Sequence, residues 1–164
     1  MDTKKDKKRE GLMLCLLAVS PVLIGYLFNV MLYIPVIGSL WMYAAPFTVL
    51  YFWGWVGTVF QGKFNSIWKS VLTGNAAGIL SFIVFIVLCQ RGTEGEMSYI
   101  LSALSQMFTL PLGFLTMWIA VMKEGVYDLN EASVSAVILT QAAGLILMLA
   151  AFTVGCFIAR KKEA

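Results

Sequence analysis

Polar and apolar positions in this chain fall in blocks instead of alternating. From Gly11 to Gly62 there are 52 consecutive positions without an Asp, Glu, Lys or Arg. A single helix of that length would reach roughly 78 Å at 1.5 Å per residue, while the hydrocarbon core of a bilayer is about 30 Å thick. The run therefore predicts two crossings joined by a turn near Pro35–Ser39. The same reading gives apolar spans at Leu12–Ile34, Leu40–Phe60, Val71–Leu88, Tyr99–Met122 and Val134–Ala159. Polar breaks at Gln61–Ser70, Cys89–Ser98 and Lys123–Ser133 separate them. Each span is near the roughly 20 residues a membrane helix needs. Their continuous apolar character is unlike the alternating segments of a barrel. Pro21 and Pro46 fall inside spans, where neighbouring helices can satisfy the carbonyl that a proline frees. The predicted class is all-α: a polytopic transmembrane helix bundle of about five spans, with four as the alternative.

Residues 1–10 form a basic cytoplasmic tail, 11–159 one helical bundle, and 160–164 a second basic tail. The opening MDTKKDKKRE resembles the charged start of a secretory signal. The apolar segment behind it is about 23 residues, longer than the 7–15 of a signal core. Leu12-Met13-Leu14 before Cys15 also lacks the small residues of a lipoprotein cleavage site, so a retained first helix is expected. Thr93-x-x-Glu96 and Asp128-x-x-Glu131 fit capping boxes ahead of the last two spans. Trp41 and Tyr43 at one end of the second span, with Tyr51, Trp53 and Trp55 towards the other, fit an aromatic belt at the two headgroup levels.

Charge complicates the topology. Basic loops stay cytoplasmic. With five crossings and the N-terminus inside, eight of the 12 basic residues lie inside and four outside. Arg160-Lys161-Lys162 then falls on the wrong side. If Leu40–Phe60 entered and left by one face, the division would be nine to three. Five crossings are nevertheless preferred, because about 21 uncharged residues make a sound spanning helix.

Lipid tails are as apolar as leucine, so helices in a bilayer associate through close backbone approach and interhelical hydrogen bonds. Stripes of small residues predict the packing faces: Gly74, Gly78 and Ser81 on the third span, Gly113 on the fourth, and Thr140 and Gly144 on the fifth. Asn29, Asn75, Gln106 and Gln141, with Ser102 and Thr109, form the candidate intramembrane polar set. Each amide needs partners where there is no water. Interhelical bonding is the simpler role for them, and lining a solute path the sharper one.

Composition removes several chemistries. The chain is 60% hydrophobic and has no His, which eliminates His-based metal sites, triads and proton relays. No predicted span holds an ionisable carboxylate, Lys or Arg, as ion coupling usually requires. Gly54-Trp55-Val56-Gly57 lies within a membrane span and cannot be a phosphate loop. Cys15, Cys89 and Cys156 make no CxxC pair. Cys89 and Cys156 fall at helix ends on the same side, where a disulfide is geometrically conceivable, but small apolar residues within helices is the plainer reading. The net charge of +3 comes from tails, without a basic face for nucleic acid.

The expectation is a non-enzymatic protein with no cofactor, no metal and no nucleic-acid partner, held in the lipid bilayer of the plasma membrane with its N-terminus cytoplasmic. It would act as a small accessory, regulatory or assembly subunit through helix–helix contacts with a membrane protein partner or a second copy of itself. The alternative is a transport facilitator or permease subunit for a small neutral solute.

Overall fold

The computed structural model describes residues 3–64, 66–91, 96–125 and 132–163. Among them the regular secondary structure is all helical, without strands. Helix α1 (Thr3–Leu32) and helix α2 (Pro35–Gln61) are joined by Tyr33 and Ile34. Two backbone bonds close the turn, Tyr33 N–H to Val30 O at 3.3 Å and Ile34 N–H to Met31 O at 3.0 Å. Pro35 begins α2, where its fixed φ suits the first turn and its missing N–H costs nothing. The two helices run antiparallel. At the far end Lys63, just past α2, pairs with Glu10 of α1 at 2.8 Å.

Helix α3 (Ile67–Gly74) then turns back and continues into α4 (Ala76–Arg91) through a 51° bend at Asn75. Helix α5 (Glu96–Gln106) follows, then a 3₁₀ turn at Leu110–Leu112 and two short helices, α6 (Gly113–Thr116) and α7 (Trp118–Glu124). Helix α8 (Val134–Glu163) ends the chain.

The tightest helix pair is α2 on α8, and glycine makes it possible. A Cβ on Gly54 would meet the Ala151 carbonyl oxygen at 3.3 Å. A Cβ on Gly57 would overlap the Phe152 carbonyl, and one on Gly155 the Gly54 carbonyl. In a helix carbonyls point towards the C-terminus and Cβ atoms towards the N-terminus. The order Ala151, Gly54, Gly155 therefore means that α2 and α8 run parallel, so Gln61 and Arg160 lie at one end of the molecule. Cys156 donates to the Gly57 carbonyl at 3.4 Å on the same seam.

Three helices are long and apolar enough to cross a membrane: α1 from Lys8, α2, and α8 to Lys162. A fourth results if the bent pair Ile67–Gly74 and Ala76–Gln90 counts as one crossing. The expected fourth span, Tyr99–Met122, is not one helix. Pro111 cannot donate to a preceding carbonyl, and the α-helical ladder gives way at Met107–Leu112.

The direction of the chain reverses at that break. Phe108 packs against Gly78 near the start of α4. Residues 92–95, which join α4 to α5, span at most about 18 Å, so α5 returns alongside α4. Beyond the break, α7 ends against the beginning of α8: Lys123 reaches Ser135, and Ser133 N–H donates to Glu124 at 2.8 Å. The break itself lies at Gly144, where Thr109 is 3.0 Å from an added Cβ, about 15 Å along α8 from Val134. The segment from Glu96 to Glu124 is thus a hairpin that enters from one end, reaches about half the depth of the bundle, and leaves by the same end. The sequence reading gave the re-entrant alternative to Leu40–Phe60 instead, yet that stretch lies within the unbroken α2.

The core collects where these elements meet. Trp53, Val56, Phe60, Phe108, Leu112, Met148 and Phe152 are almost wholly buried. Trp53 is edge-on to Phe108 at 5.6 Å between ring centroids and tilted on Phe152 at 5.5 Å. Trp53 is therefore an interior anchor and not a member of the expected belt, whereas Tyr43, Tyr51 and Trp55 are exposed.

Candidate functional site

The interior polar groups sort into two places. The first is the bend between α3 and α4. Backbone bonds continue through it, Asn75 N–H to the Val71 carbonyl at 3.0 Å and Ile79 N–H to the Asn75 carbonyl at 2.9 Å, and Asn75 occupies the bend at 0% exposure. Its amide donates to the Val71 carbonyl at 2.9 Å and its oxygen accepts from Trp53 Nε1 at 2.9 Å. One side chain thus ties the bend to α2. Gly74 faces the Phe152 ring and Gly78 the Phe108 ring, which lets the two aromatic rings close around the bend.

The second place is the break between α5 and α6. Gln106 donates to the Ser102 carbonyl at 3.3 Å and approaches the Ser102 hydroxyl at 3.5 Å. Gln141 on α8 donates to the Gln106 oxygen at 3.3 Å, and Thr109 donates to Gln141. Four of the six residues expected to form one polar set are therefore joined in a chain between hairpin and α8. Asn75 belongs to the Trp53 centre instead. No hydrogen bond ties the half-buried Asn29 to either group among the described residues. This hydrogen-bonded set holds only amides and hydroxyls, none of them charged at neutral pH.

The small residues divide as well. Gly74, Gly78 and Gly144 make close approaches, whereas a Cβ at Gly113 would meet nothing within 4 Å. Thr140 is buried and donates to the Ala136 carbonyl of its own helix at 2.9 Å. Ser81 is half-buried. The glycines of the main seam, Gly54, Gly57 and Gly155, escaped the sequence reading, which weighed Gly54 and Gly57 only as a phosphate loop. Their i, i+3 spacing, with Gly155 in the last span, was the available signal.

Four cavities are described, and none is lined by Asn75, Gln106, Gln141, Ser102 or Thr109. One lies between α2 and α8 along Gly54 and Gly155 and is almost wholly apolar. Another, between α3 and α8, has Ser66 and Arg160 in its wall. At the opposite end of the bundle, Glu124 accepts from the hydroxyl and amide of Ser133. These bonds, and then the charge of Lys123, hold its carboxyl below the usual value.

The three cysteines are free. Cys156 is buried against α2 near the Arg160 end, while Cys89 lies in the last turn of α4, so they do not share an end as expected. Thr93-x-x-Glu96 and Asp128-x-x-Glu131 lie outside the described side chains.

Fold and interior define an all-helical protein with three to four candidate membrane-spanning helices around a hydrogen-bonded, aromatic centre. Protein-family models, curated proteins and solved structures give no match to this chain.

Proposed function

We propose that the chain is a multi-pass protein of the plasma membrane with four crossings (α1, α2, α3 with α4, and α8) and one re-entrant hairpin, Glu96–Glu124. Charge supports this topology. Ten of the 12 basic residues belong to one end: five in the N-terminal tail, Lys63, Lys69 and Arg160–Lys162. Only Arg91 and Lys123 belong to the other. The conflict that five crossings create then disappears, and the ten-residue end is cytoplasmic. Non-helical backbone at membrane depth must be covered by protein, and Met107, Phe108, Thr109, Pro111 and Leu112 are all buried.

Its role is that of a small accessory, regulatory or assembly subunit acting through helix–helix contacts. The observation that carries this reading is that Asn75 is bonded to Trp53, that Ser102, Gln106, Thr109 and Gln141 are bonded to one another, and that none of these five lines a described cavity. Extraction in mild detergent tests it. A membrane protein partner, or a second copy of the chain, should co-purify at fixed stoichiometry through repeated sizing. A partnerless monomer at native abundance would remove the reading.

A second reading, a facilitator for a small neutral solute, draws on one observation. Helix breaks at Asn75 and at Met107–Leu112 meet through Phe108 at bundle depth, and broken helices commonly frame transport sites. Flux of urea or glycerol into vesicles holding the purified chain alone, above protein-free vesicles, would favour it over the first.

A further inference from the structure

Among the four described cavities, the one between α3 and α8 alone has a charged side chain in its wall. Its volume is about 550 Å³ and it is lined by Ser66, Ile67, Trp68, Val71, Thr153, Phe157 and Arg160. Two chemistries meet in it. Part of the lining is apolar: buried Val71 and exposed Phe157 border it, and the Thr153 hydroxyl is occupied by the Leu149 carbonyl at 2.7 Å. The outer rim is polar. Arg160 is exposed, and Ser66 precedes α3 without spending its hydroxyl on a capping bond. Trp68, 77% exposed, stands where an indole sits at a headgroup level. Lys161, Lys162 and Lys69 are exposed at the same end.

Free phosphate has no use for the apolar wall, and a neutral acyl chain has none for the guanidinium. A molecule that satisfies both has an anionic head and a hydrocarbon tail, and basic pockets between helices on the cytoplasmic side suit such lipids. We propose that this cavity is a binding site for an anionic phospholipid, its phosphate held by Arg160 and Ser66 and an acyl chain laid along Val71 and Phe157. The site rests on the membrane reading above, because its lipid arrives from the bilayer. Bidentate donors from a guanidinium suit a phosphate in particular.

Native mass spectrometry of the full chain, released from mild detergent with equal phosphatidylglycerol and phosphatidylcholine, tests it. One phosphatidylglycerol should be retained in preference to phosphatidylcholine. Arg160→Gln should cut that preference roughly five- to tenfold, the range for one basic group at a lipid surface. Ser66→Ala should weaken it less, and Lys162→Gln, outside the cavity, should change it clearly less than Arg160→Gln does. Excess inorganic phosphate should leave the lipid bound. Equal retention of both lipids, equal loss in the Arg160 and Lys162 variants, or displacement by phosphate overturns the site. Failure of the membrane reading looks different: the chain would stay dispersed without detergent before any lipid is added.

Discussion

Asn75 does more than any other side chain here, because it closes a helix bend and holds the indole of Trp53 together. Membrane interhelical hydrogen bonds average about 0.6 kcal/mol, but an orphaned buried donor costs about 1–3 kcal/mol. Asn75→Ala leaves Trp53 Nε1 in that state, so a stability loss of about 1–2 kcal/mol is expected by unfolding in mixed micelles. Trp53→Phe should remove most of the additional loss when combined with it, and fully additive effects would contradict the pairing. Glycine offers a second contrast. Gly57→Ala puts a methyl into the Phe152 carbonyl, and overpacking of that kind costs about 1–3 kcal/mol. Gly113→Ala meets open space and should cost nothing measurable in the same assay. Residue identity made Asn75, Gln106 and Gln141 legible as buried amides in need of partners. It could not say which amide meets which, because that depends on how α5 is aimed.

At the scale of elements, long helices were legible and the hairpin was not. Hydropathy registers that Tyr99–Met122 is apolar, and a segment that enters and returns is as apolar as one that crosses. Pro111 and the density of Ser, Thr and Gln from Ser98 to Thr109 were the local signs of a break. Charge was the global sign, since Arg160–Lys162 fitted badly with an odd number of crossings. The exit of the hairpin is fastened to α8 by Glu124 and Ser133. Because Glu124 titrates below its usual value when bonded, the contact contributes stability at any pH above the ordinary carboxylate range. It is lost as pH falls through the lowered value. The Ser133 amide should therefore be protected from hydrogen exchange at neutral pH, and its protection relative to the intrinsic rate at each pH should be lost on acidification. Glu124→Gln should flatten that dependence; an unchanged profile in the variant would separate the carboxylate from the effect.

For the whole molecule, the two ends differ in sign. The end with both tails, Lys63 and Lys69 holds ten basic and four acidic residues, and the other two basic and five acidic, hence net +6 and −3. In the four-crossing topology proposed above, such a distribution would orient the chain with both termini on one side. In a background lacking native cysteines, Lys63→Cys and tags at both termini should be reached only from the cytoplasm. Arg91→Cys and Ala132→Cys should be labelled only from outside. A five-crossing chain would separate Arg91 from Ala132 and the N-terminus from the C-terminus, so the pattern decides between the two.

The tip of the hairpin touches elements made long before it and one made after it: Met107 presses its carbonyl on Gly25, and Thr109 bonds Gln141. A ribosome that has just released Glu124 has therefore delivered a hairpin whose amide and hydroxyl groups still lack their last neighbour. On the membrane topology proposed above, the hairpin should stay with the insertion machinery until α8 emerges, and a chain halted before Val134 should be recognised by membrane quality control.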